Sequence, residues 1–133
     1  MVVNDTHGHQ CGDQILREFV KSVNELIRTD SDWLARYGGE EFLLVLPETS
    51  LENAYRLAER LRTQIARTGF EYQGENITIT ASFGLTGFRA ETAPETLHAE
   101  ALLNRADKLL YQAKSEGRNR VVSGPFAPEA ASS

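Results

Sequence analysis

The sequence predicts an α+β fold in which helices lie against a sheet containing at least one antiparallel pair. Three features carry that expectation. Apolar residues recur at helical spacing in three separate segments. Two short strand-like runs flank Gly38 and Gly39, one of the glycine pairs that close a two-residue hairpin. A further stretch, ENITITASFGLTGF, alternates apolar and polar residues. Because the hairpin is antiparallel, a mixed α+β sandwich is favoured over a doubly wound parallel sheet.

The first helix is expected over Gly12 to Arg28, where Ile15, Leu16, Phe19, Val20, Val23, Leu26 and Ile27 form one face. WLARY and EFLLVLP follow as the hairpin strands, Trp33 to Tyr37 and Glu41 to Pro47. Ser50 is suited to cap a second helix whose inner stripe is Leu51, Ala54, Leu57, Ala58, Leu61 and Ile65, and Gly69 is suited to end it. The alternating stretch puts Ile77, Ile79, Ala81 and Phe83 on one side and Thr78, Thr80 and Ser82 on the other, with Gly84 as an interruption. It reads as two strands or one bent strand. A third helix runs from about Ala99 to Ser115, with Leu102, Leu103, Ala106, Leu109, Leu110 and Ala113 inward and Gly117 as its stop. NRVV, residues 119–122, adds a short strand. One domain over 1–122 and a flexible tail over 123–133, of composition SGPFAPEAASS, complete the organisation.

The chain has 133 residues, of which 41% are hydrophobic, enough for a single domain with its own core. Its net charge of -5 removes the general attraction for phosphate backbones, so duplex nucleic acid is not an expected partner. The single Cys11 cannot build an intrachain disulfide, and no paired Cys/His spacing suggests zinc. No apolar run approaches the ~18 residues of a membrane span and no secretory signal is present, so a cytoplasmic location is expected.

Three stretches carry candidate chemistry. In ARYGGEEF, the side-chain-free backbone at 38 and 39 allows phosphate oxygens to approach its N–H groups, and Glu40 and Glu41 suit a divalent cation. Neighbours on a strand face opposite sides, so the two glutamates should have separate roles. The same residues equally fit an ordinary turn with a solvated edge. In VNDTHGHQCGD, polar and glycine residues crowd the approach to the first helix. Asn4 offers a donor and an acceptor and Asp13 an acceptor, a pair able to read a guanine edge or merely to cap turns. In AKSEGRNR, Lys114 and Arg118 lie four apart at a helix end, where they could grip phosphates or complement the helix dipole. For His7 and His9, packing at the helix start is favoured over a metal site, and His98 has no context. Cys11 has no His/Asn arrangement to make it a nucleophile.

In this order, NDTHGHQCGD, ARYGGEEF, ITASFGLT and RADKLLYQAKSEGRNR resemble the GGDEF family of diguanylate cyclases, and the resemblance runs from Asn4 to Val122. It implies a ferredoxin-like nucleotidyl-cyclase palm with a mixed or antiparallel sheet and helices packed on it. The implied reaction joins two GTP molecules into cyclic di-GMP, releasing pyrophosphate with Mg²⁺ or Mn²⁺, in a homodimer controlled by an upstream sensory domain. Carried onto this chain, the resemblance makes Gly38 and Gly39 the turn against the GTP phosphates and Glu40 a metal ligand. Glu41 becomes the second essential carboxylate, near the metal and the attacking 3′-hydroxyl. Asn4 and Asp13 become guanine readers, and Lys114 and Arg118 phosphate contacts.

Two departures stand out. In the family a strand resembling Asp-x-Asp-x-Phe-Lys, whose first Asp binds metal, precedes the Asn-Asp stretch, and Met1 here falls at the Lys position. That strand is expected to be absent, leaving neighbouring ladder groups unpaired at ~1–3 kcal/mol each. The chain is therefore expected to be a fragment or mis-started reading of a longer protein, unless another segment, such as one from a second chain, fills the place. Its loss of a metal carboxylate keeps a non-catalytic module that binds GTP or cyclic di-GMP as the alternative reading. The second departure is the family's Arg-x-x-Asp product-inhibition motif: Asp32 matches, but Thr29 holds the Arg position and Arg28 is displaced by one. The primary inhibitory site is therefore expected to be degenerate, although Arg60 matches a secondary arginine position.

Overall fold

The computed structural model describes residues 2–8, 13–28, 30–38, 41–72, 74–88 and 99–126. In chain order these form β1 (Val2–Gly8), α1 (Asp13–Leu26), β2 (Trp33–Gly38), β3 (Glu41–Val45) and α2 (Leu51–Thr68). They are followed by β4 (Phe70–Tyr72), β5 (Glu75–Ile77), β6 (Ile79–Leu85), α3 (Ala99–Ser115) and β7 (Val121–Ser123). The main sheet has the order β2-β3-β1-β6-β7, and β4 and β5 make a separate small hairpin. β1 runs antiparallel to β3 and β6, β2 runs antiparallel to β3, and β7 runs parallel to β6. The mixed α+β architecture expected from the sequence is what is found.

Two expectations need correction at the start of the chain. VVNDTHG is not only an approach to the first helix, because Val2–Gly8 is a strand. That strand also fills the position expected to stand empty. Its whole length, from Val2 opposite Leu85 to Gly8 opposite Ile79, pairs with β6, while Val2 to Asp5 pair with Leu44 to Glu41 of β3. The ladder groups of β3 and β6 thus meet a partner within the same chain. Local sequence assists through the β-branched residues Val2, Val3 and Thr6, but the decisive term is the cost of leaving two buried strands unpaired.

Helix boundaries follow from their caps. Ser50 has extended backbone and its Oγ accepts a hydrogen bond from the Asn53 N–H at 3.1 Å, so α2 begins where the sequence predicts. Gly69, with φ of 68°, ends it. The α1 and α2 stripes meet the sheet in one core: Phe19 and Val23 from α1, Ala54, Ala58, Leu61 and Ile65 from α2, Phe42 and Leu44 from β3, and Ile79, Ala81, Phe83 and Leu85 from β6. Phe19 and Phe42 pack with ring centroids 5.0 Å apart and their planes tilted by 40°. On the other face, Ala106 and Leu110 of α3 pack with Leu43 and Leu103. Strand alternation explains the division, since Leu43 points opposite to Phe42 and Leu44.

β6 is not interrupted at Gly84, contrary to the sequence expectation. The strand continues to Leu85, and α3 crosses so closely that a Cβ at Gly84 would collide with the backbone of Ala106 and Leu110. The glycine marks close backbone approach rather than a break. At the other end, Ser123 belongs to β7, Gly124 N–H donates to Leu85 O at 3.0 Å and Phe126 N–H to Gly87 O at 3.1 Å. The first residues of the expected tail therefore continue along β6, while residues 127–133 lie outside the described residues.

Candidate active site

The bend between β2 and β3 is irregular. Trp33 to Arg36 pair regularly with Val45 to Phe42, but the register then shifts so that Gly38 faces Glu41. A bulge of this kind re-aims the residues beside it. Gly39 and Glu40 lie outside the described residues. Glu41 opens β3, in register with Gly38 on one side and with Asp5 of β1 on the other. Its side chain is 36% exposed, and its Oε1 lies 3.9 Å from Lys114 Nζ. Lys114 sits in the last turn of α3, so helix packing across β6 delivers a cation to the start of β3.

Beyond Lys114 the chain turns sharply. Gly117, Arg118 and Asn119 have φ of 121°, 63° and 48° in succession. Arg118 N–H donates to Ala113 O at 2.9 Å and Gly117 N–H to Lys114 O at 3.4 Å, closing the helix end. Asn4 lies within β1, opposite Phe42 and Phe83, and Asp13 is the first residue of α1. The structure thus brings Gly38, Glu41 and Lys114 together, with Arg118 four residues beyond Lys114. The fit to a divalent cation rests on chemistry of the donors: a part-exposed carboxylate beside a glycine bulge, with a lysine close by, suits Mg²⁺ or Mn²⁺ shared with phosphate oxygens. No cluster of three or more His, Cys, Asp or Glu occurs among the described residues, which Mg²⁺ bound through one or two carboxylates does not need.

Asp32 and Arg60 stand apart from this group. Asp32 is buried and already saturated by Arg28, which donates to it from its backbone N–H at 2.9 Å, from Nε at 3.2 Å and from Nη2 at 3.0 Å. Arg28 Nη2 also donates to Pro47 O and to Thr49 Oγ1, each at 2.7 Å. The pair clamps the α1–β2 turn to the β3–α2 turn. Burial pushes the Asp32 carboxyl up, but the hydrogen bonds from Arg28 and its charge outweigh this and hold it below its ordinary value. Arg60 lines a shallow cleft of about 340 Å³ on α2 with Glu59, Thr63, Gln64 and Arg67.

The family model described as "Diguanylate cyclase, GGDEF domain" matches residues 2–120. The chain belongs to the GGDEF domain family. Among curated relatives, this GGDEF domain is 43% identical over 119 residues to diguanylate cyclase DgcP of Pseudomonas aeruginosa, covering 90% of this chain and 17% of that protein. It is also 43% identical over 122 residues to the response regulator PleD of Caulobacter vibrioides, covering 90% and 26% respectively. The domain therefore spans only about a sixth to a quarter of the length of these two relatives. Among solved structures, it resembles the active GGEEF domain of a diguanylate cyclase from Vibrio cholerae, with a TM-score of 0.74, 31% identity, and coverage of 96% of this chain and 81% of the other. It also resembles the GGDEF domain of DgcB from Caulobacter crescentus in complex with c-di-GMP, with a TM-score of 0.78, 27% identity, and coverage of 92% and 75%.

Sequence reasoning missed three residues near the site. Ser82 and Arg62 each bond Asn119 across long separations, which no local pattern reports. Only the Glu59/Arg62 spacing, three apart on a helix, was readable. Among the described residues, no helix is long and apolar enough to cross a membrane.

Proposed function

We propose that this GGDEF domain is the catalytic domain of a diguanylate cyclase, condensing two GTP molecules into cyclic di-GMP. The observation that carries the reading is the meeting of Glu41, Gly38 and Lys114 in a chain of this family. In the reaction, the 3′-hydroxyl of each GTP attacks the α-phosphorus of the other, and each new P–O bond releases one pyrophosphate. A divalent cation, Mg²⁺ or Mn²⁺, supplies neutralisation of the charge that builds on the phosphates. Glu40 and Glu41 are the carboxylates that would hold it. The backbone at Gly38 and Gly39 admits the triphosphate closely, and Lys114 and Arg118 neutralise the departing pyrophosphate. Asn4 and Asp13 read the guanine edge.

Each domain holds one nucleotide, so two copies must face each other for the hydroxyl of one to reach the phosphorus of the other. The working form is a homodimer in the cytoplasm, where GTP is available, within a longer protein whose sensory part controls the pairing. The test is GTP turnover by the purified chain with Mg²⁺ or Mn²⁺. Formation of cyclic di-GMP that is lost in Glu41→Ala supports the reading. Tight GTP binding without turnover would instead favour a non-catalytic binding module.

A further inference from the structure

The turn after α3 is held more firmly than a helix stop requires. A helix end needs one residue in the left-handed region, and Gly117 supplies it without steric cost. Here two further residues follow with positive φ, and the middle one is Arg118. Asparagine tolerates this region because its short amide side chain bonds locally, whereas arginine has no such compensation. A residue kept in a conformation it does not favour is over-determined by its surroundings.

Those surroundings grip Asn119 from two sides. Its N–H donates to the Ser82 Oγ at 3.0 Å, and Ser82 is fully buried in β6. The next rung is Phe83 N–H to Arg120 O at 2.9 Å, so the serine hydroxyl extends the β6–β7 ladder by one bond into the turn. From α2, Arg62 Nη1 donates to Asn119 Oδ1 at 3.2 Å and to its backbone O at 3.5 Å. The rest of that guanidinium is fixed by Glu59, through Nε at 2.9 Å and Nη2 at 3.0 Å. One edge of the arginine fork is held by its own helix and the other holds the turn.

We propose that Asn119 is a positioning residue: anchored by the Ser82 hydroxyl and the Arg62 guanidinium, it fixes the left-handed backbone of Arg118 and so the direction from which Arg118 meets the nucleotide's phosphates. This rests on the cyclase reading of the site. A preset backbone leaves only the rotamers of the arginine to be ordered when the anion arrives.

The test is a double-mutant cycle on Mg²⁺–GTP affinity by calorimetry, with Arg118→Ala, Asn119→Ala and the double variant. Arg118→Ala is expected to weaken binding about ten-fold, the loss of one charge-assisted contact. Asn119→Ala should weaken it several-fold, and the double variant should bind no worse than Arg118→Ala alone. Additive losses would overturn the proposal, because they would mean that Asn119 does not act through Arg118. In the nucleotide-free chain, the Asn119 amide should be protected from hydrogen exchange and should lose that protection in Ser82→Ala. An amide that exchanges freely in the wild type overturns the anchor. A wild type that binds no nucleotide at all overturns the cyclase reading and this inference with it, whereas binding with additive losses overturns this inference only.

Discussion

Lys114 Nζ stands 3.9 Å from Glu41 Oε1, joining the last turn of α3 to the first residue of β3. Both side chains are part-exposed, and such a pair contributes roughly 0.2–1 kcal/mol to stability. Folding alone gives little reason for the juxtaposition, while a site for a cation and an anion together does. Glu41→Gln is therefore expected to lower GTP turnover by at least about 10²-fold, the size of losing a preorganised electrostatic contact, with the thermal midpoint nearly unchanged. Steady-state kinetics beside a thermal melt check both halves.

Asp32 is a structural acid. Its side chain is 3% exposed and accepts three hydrogen bonds from Arg28, so Asp32→Ala should cost about 1.5–3 kcal/mol in denaturant unfolding. Because the folded carboxyl is held below its ordinary value of 3.8, its contribution is fully present above that value and is lost as pH falls through the lower folded value. Stability of Asp32→Asn should accordingly fall less steeply in that acid window than the wild type's.

The same clamp bears on product inhibition. The Arg28 guanidinium is already committed to Asp32, Pro47 and Thr49, so cyclic di-GMP could engage it only by breaking those bonds. Calorimetric titration is expected to find weak product binding here. Submicromolar affinity that disappears in Asp32→Ala would contradict the expectation.

Gly84→Ala should be among the most damaging single substitutions. The added Cβ would meet backbone atoms of Ala106 and Leu110, including Leu110 Cα at 2.8 Å, and backbone cannot rotate aside. A loss of about 3 kcal/mol or more, or failure to fold, is expected, visible by circular dichroism and denaturant titration.

Val3→Pro tests the central strand. Val3 pairs with Leu43 on one side and Gly84 on the other, and proline there removes a ladder donor and restricts the backbone. A cost of about 3 kcal/mol or more is expected. An unchanged melting curve would show that Val2–Gly8 does not carry the middle of the sheet.

The helices were legible because their information is local: a repeating stripe between a capping Ser50 and a stopping Gly69 needs no knowledge of the rest of the chain. β1 was not. Asn4, Asp5, His7 and Gly8 are poor strand formers, and pairing with the strands on either side holds them extended. The burial of Ser82 could not be read from the alternation for a related reason. Alternation set it opposite the apolar side, but α2 and α3 cover β6 on both faces, so neither side of that strand is solvent. At the site, motif residues close in sequence could be found from the sequence. The Ser82–Asn119 and Arg62–Asn119 bonds join residues 37 and 57 positions apart and needed the fold.

The pairing of Val2 with Leu85 has a consequence for biosynthesis. As the chain leaves the ribosome, one side of β1 stays open until the whole of β6 has emerged, and β6 in turn waits for Val121–Ser123. Cooperative folding of the domain therefore waits until Val121–Ser123 has been made. In the interval the nascent domain shows two adhesive borders to the cell, and the chaperone demand of this protein should be concentrated there.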